Sequence, residues 1–133
     1  KVRPIDGQSV DLGVARLAGI GDIVAHAVGQ ERLSALNMQD KPMLLLTHNP
    51  DSYHSLPSLK QPFVLLAGHT HGGQVNLPII TEKILKIVTQ QGYQRGWYAL
   101  PNNNQLFVSS GIGMIGLPLR FGMPPTIDVL QFE

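Results

Sequence analysis

Twice in this chain a short, unbroken apolar run stops at a histidine. Residues 43–47, "MLLLT", run into "HNPD", and residues 63–67, "FVLLA", run into "GHTHGG". Continuous apolar runs of this length are strands covered on both faces. Pro50 and Asp51 turn the chain into a short helix after the first run, and Gly68, Gly72 and Gly73 open the loop after the second. Strand, histidine loop, short helix, strand, histidine loop is an α/β arrangement. In such sheets ligands gather beyond the carboxyl ends of neighbouring strands, so His48, His69 and His71 are expected along one edge.

The totals set the frame for that edge. At 133 residues and 43% hydrophobic content the chain has the length and core of one domain. Lys and Arg number 10 against 9 Asp and Glu, so no basic field calls for nucleic acid. Without cysteine there is no disulfide framework and no thiolate site, which fits a reducing, cytoplasmic setting and leaves any metal to N and O ligands. No apolar stretch approaches the roughly 20 residues needed to cross a bilayer. The opening, "KVRPIDGQSV", has no Met and no signal-peptide pattern, and reads as a sequence entered partway along.

Elsewhere the patterning predicts a strand over 10–20 that ends in "GIGD", with Asp22 as N-cap of a helix carrying Ile23, Val24, His26, Ala27 and Val28. A helix is expected at "TEKILKIV", 81–88. "GWYAL" and "QLFVSS" read as strands joined by the turn at 101–104, and "TIDVLQF", 126–132, alternates as a closing strand.

His69 and His71, two apart, face the same way if the backbone is extended, with origins roughly 6.5–7 Å apart. Metal pairs in hydrolytic sites lie about 3.5–4 Å apart and imidazole binds zinc at about 2 Å, so one histidine can serve each ion. His26 and His54 are read as ordinary surface or hydrogen-bonded residues. Two other readings stay open on these residues. The three histidines with a water could form a single-zinc hydrolase, or they could bond only loop backbone in a non-catalytic α/β interaction module.

Three segments carry a resemblance: "LLLTHNPD" at 44–51, "LLAGHTHGGQ" at 65–74, and "VSSGIGMIGLPLRFGMPPTI" at 108–127. Together they resemble the second half of the calcineurin-like metallophosphoesterases, in the bacterial branch that includes membrane-associated phosphohydrolases, some acting on UDP-diacylglucosamine. The resemblance implies an α/β fold, half of a two-sheet sandwich flanked by helices, with residues 1–133 as its C-terminal part. It implies a phosphohydrolase with two divalent ions, manganese, iron or zinc, His48 and His69 binding one and His71 the other. Such ligands should be neutral, so affinity should fall in mild acid.

The family's Asp-x-His, Gly-Asp-x-x-Asp and Asn-His motifs, with the catalytic histidine, are expected in a missing first half, and "GDIVAH" at 21–26 only imitates one of them. Alone the chain is therefore expected to be nearly inactive, to expose strand edges, and to dimerise or exchange segments. Thr70, Gly73 and Gln74 are placed to shape substrate access, with an inward-pointing Thr70 as the alternative. Arg120 is a candidate fork for a phosphate, or else a backbone-bonded arginine. The implied partner is a phosphate ester, extending to a nucleotide-linked lipid, with contact to the periphery of the inner membrane. The Met and Leu residues of "GMIGLPL" are expected in the core, an acyl or membrane contact being the alternative. Thr126 departs from the glutamate that follows the two prolines in relatives.

Overall fold

In the computed structural model, which describes residues 2–22, 41–59 and 61–131, six strands form one sheet in the order β1-β2-β3-β4-β6-β5. They are β1 (Ser9–Asp11), β2 (Arg16–Gly19), β3 (Met43–Leu46), β4 (Phe63–Ala67), β5 (Gly96–Ala99) and β6 (Gln105–Val108). The central four, β2, β3, β4 and β6, are parallel, and β1 and β5 pair antiparallel at the two edges. The sheet is therefore an α/β one, with the carboxyl ends of β3, β4 and β6 side by side. No helix among the described residues is long and apolar enough to cross a membrane.

The two apolar runs are adjacent strands, in register Leu46↔Leu66. Their ladder continues past the strands, Thr47 N–H donating to Leu66 O and Gly68 N–H to His48 O. Burial follows the pleat. Met43, Leu45, Phe63, Leu65, Leu106 and Val108 point into one core with Ala18, Ile20 and Tyr93. The opposite face is less well covered than continuous apolarity predicts, since Val64 and Leu66 are only half-buried.

The helix predicted at 81–88 is α1 (Pro78–Val88), one turn longer at its start. Pro78 opens it, where a missing N–H costs nothing. Thr81 and Leu85 face inward, while Ile79 and Ile87 are exposed. Short 3-10 turns cover Pro50–Ser55, as expected, and His71–Gly73. The β5–β6 hairpin turns at 101–104, with Asn102 and Asn103 both in the left-handed region that Asn tolerates.

Three expectations need correction. The single strand over 10–20 is a hairpin, β1 and β2, because Asp11 turns the chain by accepting from the Gly13 N–H at 2.7 Å and Gly13 takes φ 86°. The closing strand is absent over 126–131, where Ile127 and Val129 are exposed. Alternation marks two faces, but a strand also needs a neighbour's backbone, and this segment has no ladder partner among the described residues. Met114, Leu117 and Leu119 are half-exposed or more instead of packed in the core. Their loop is held to the body through its backbone, which turns the side chains outward. The helix expected after Asp22, with His26, lies outside the described residues.

Candidate functional site

Because β3 and β4 are neighbours in register, the residues just beyond them meet. His48 Nε2 lies 3.1 Å from His69 Nδ1, with the rings edge to face. The other nitrogen of His69, Nε2, is 3.0 Å from the carbonyl oxygen of Val88, at the end of α1. A carbonyl can only accept, so Nε2 carries the proton and Nδ1 presents its lone pair to His48.

His71 does not join that pair. His69 and His71 both take left-handed backbone angles, φ 69° and 51°, around a right-handed Thr70, so the extended geometry assumed from the sequence does not hold. His71 packs against Gly113, where an added Cβ would sit 3.0 Å from its Cε1, and its Nδ1 is buried without a hydrogen-bond partner among the described residues. Among the described residues no three His, Asp or Glu side chains are grouped closely enough to hold an ion. Left-handed angles at two non-glycine residues cost roughly 1–2 kcal/mol each, and strain of this kind concentrates where geometry serves a ligand.

The four candidates for substrate contact have their polar groups engaged within the fold. Thr70 is buried, its Oγ1 donating to Gln94 O at 2.6 Å and accepting from the Gly72 N–H. It takes the inward alternative. Gly73, at φ 83°, has no room for a side chain, since a Cβ would meet Thr81 Cγ2 at 2.7 Å. Gln74 donates to the carbonyls of Ile115 and Leu117 and accepts from the Ile115 N–H. Arg120 turns its guanidinium onto main-chain carbonyls. Thr126, the departure noted in the sequence, bonds Ser110 Oγ at 2.7 Å and donates its N–H to Gly111 O.

The histidine pattern does not mark Asp51 as a site residue, although "HNPD" contains it. Its Oδ2 accepts from the Gln90 N–H at 2.6 Å, tying the 3-10 turn after His48 to the segment just past Val88, while its buried Oδ1 has no partner among the described residues. Nearby, the Tyr93 hydroxyl pKa is pushed up, chiefly by burial and next by the Asp51 carboxylate.

No family model and no solved structure matches the chain. Curated proteins do. An uncharacterised metallophosphoesterase of Campylobacter jejuni is 34% identical over 95% of this chain and 33% of its own length. The metallophosphoesterase YkuE of Bacillus subtilis is 42% identical over 68% of the chain and 30% of its own length. The UDP-2,3-diacylglucosamine pyrophosphatase LpxG of Chlamydia muridarum is 30% identical over 96% of the chain and 40% of its own length. The chain thus spans about a third of the length of the first relatives it matches.

Proposed function

The chain belongs to the calcineurin-like metallophosphoesterase family, and on that premise we propose that it contributes histidine ligands to a dinuclear phosphohydrolase centre, His48 and His69 on one ion and His71 on the other. The observation that carries the assignment is the His48–His69 contact. Two nitrogens each about 2.0–2.1 Å from one ion are about 2.8–3.4 Å apart for tetrahedral to octahedral angles. The observed 3.1 Å falls inside that range. The same distance also serves a neutral hydrogen bond in the absence of metal, His48 Nε2–H donating to His69 Nδ1, which an ion displaces as the His48 proton moves to that ring's own Nδ1 and frees its Nε2 lone pair.

When bound, divalent ions would lower the pKa of water and screen phosphoryl oxygens. The chain's own part is to hold the donors. Val88 fixes the His69 tautomer, the β3–β4 register sets the spacing, and the left-handed turn at His71 separates the third imidazole from the pair. The substrate class is a phosphate ester. Similarity to proteins named for UDP-2,3-diacylglucosamine cleavage supports a nucleotide-linked lipid, and exposed Ile112, Ile115 and Leu117 supply an apolar rim that suits acyl chains.

The test is metal content and phosphodiester hydrolysis in the full-length protein. Two ions per chain, with turnover lost on His69→Ala, is the expected result. One tightly held zinc would favour the single-metal hydrolase. Thermal stability unchanged by Mn²⁺, Zn²⁺ or chelator, with no turnover, would favour the interaction module.

A further inference from the structure

Residues far apart in the sequence meet at one guanidinium. Arg120 Nε donates to Gly113 O at 3.1 Å, and Nη2 donates to Gly113 O at 2.6 Å and Ser110 O at 2.8 Å. Nη1 reaches the carbonyls of Met123, His71 and Pro124 at 3.3, 3.4 and 3.4 Å. One planar fork therefore gathers residues 110–113, 123–124 and the backbone of His71. Gln74 fastens the next part of the same loop through Ile115 and Leu117.

What this fastening places is a wall for the His71 ring. With Nδ1 lacking a hydrogen-bond partner among the described residues, no bond there to them fixes the imidazole. Packing must do so, and Gly113, twice bonded by Arg120, is the surface it packs on. The geometry points to Arg120 as the positioning residue for His71: it holds the Gly113 backbone against the imidazole and so sets the direction of the ring's other nitrogen. Lysine cannot replace it, because an ammonium has three donors and no planar fork. The consequence for catalysis rests on the proposed phosphohydrolase function; the placement of the ring does not.

The experiment is histidine-ring ¹H–¹⁵N NMR on metal-free full-length protein, for wild type, Arg120→Lys, Arg120→Ala and Gly113→Ala. The His71 ring resonances are expected to shift and broaden in all three variants while those of His48 and His69 stay in place. Millimolar guanidinium should restore the Arg120→Ala spectrum in part. Gly113→Ala disturbs the same ring with Arg120 intact, so the inference stays testable if Arg120→Ala fails to fold. In Mn²⁺ titrations, Arg120→Lys should weaken one of two binding steps by about 10–100-fold and lower kcat with KM little changed. A folded Arg120→Lys with an unmoved His71 ring would overturn the inference, as would a raised KM at constant kcat, which would make Arg120 a substrate contact. Wild-type protein that binds no ion would overturn the phosphohydrolase proposal instead, and the ring spectra would still decide the placement.

Discussion

His69 donates from Nε2 to the main-chain oxygen of Val88 at 3.0 Å, so a helix end decides which nitrogen of the histidine is free. Ring ¹⁵N shifts of the neutral protein should show His69 as the Nε2–H tautomer, with Nδ1 the nitrogen that moves when Zn²⁺ or Mn²⁺ is added. An Nδ1–H tautomer, or a metal-induced change at Nε2, would separate His69 from Val88 and remove the pairing with His48.

That helix end is itself held in place. Asp51 accepts from the Gln90 N–H, two residues beyond Val88, and the turn that carries Asp51 begins beside His48. Asp51→Ala removes the acceptor of a part-buried N–H and should cost about 0.5–1.5 kcal/mol in urea unfolding. Asp51→Asn retains an acceptor and should cost less. In the alanine variant the His69 tautomer signal should become mixed. A stability loss with that signal unchanged would show that Val88 is anchored by other contacts.

Much of the frame is legible in the sequence. The runs ending at His48 and Gly68 are strands, and their adjacency brings His48 to His69, because a parallel α/β sheet leaves few other ways to order them. Helix α1 and the β5–β6 hairpin were equally plain from period and turn residues. What sequence could not give was the fate of polar groups. Thr70, Gln74 and Arg120 stand in the motif as if offered to a ligand, yet each is bonded to a carbonyl contributed by a residue at least seven positions away. Such pairing depends on loop paths, and loop paths here turn on left-handed residues that no periodicity reports. The break of the first strand at Gly13 and the failure of His71 to group with His48 and His69 have that same origin.

Gly73 tests the packing behind the histidine loop. Gly73→Ala places a methyl 2.7 Å from Thr81 Cγ2 at a φ of 83°. Backbone strain of about 1–2 kcal/mol and overpacking of about 1–3 kcal/mol should add. Thr81→Ser removes the offending methyl and keeps the Oγ1 bond to Val75 O. In a double-mutant cycle the pair should therefore recover the clash and keep the strain, a coupling of about 1 kcal/mol or more. Strict additivity would mean that the loop moves away from α1 when alanine is introduced.

Tyr93 gives the fold a predictable alkaline limit. Its side chain is part of the core, in edge contact with Tyr98, and burial raises its pKa above the ordinary value of 10.0, with the Asp51 carboxylate adding to the shift. A raised pKa means that the folded chain holds the phenol proton more tightly than the unfolded chain does. Its contribution is complete below pH 10.0, where both states are protonated, and is lost as pH climbs from there through the folded value. Urea midpoints taken across that range should fall with a component of at most about 1.4 kcal/mol per pH unit from this one group. Tyr93→Phe should remove that component and leave the rest of the profile. If the steepness survives the substitution, another buried group sets the limit, and the phenolate absorbance of wild type should then rise before the unfolding transition instead of with it.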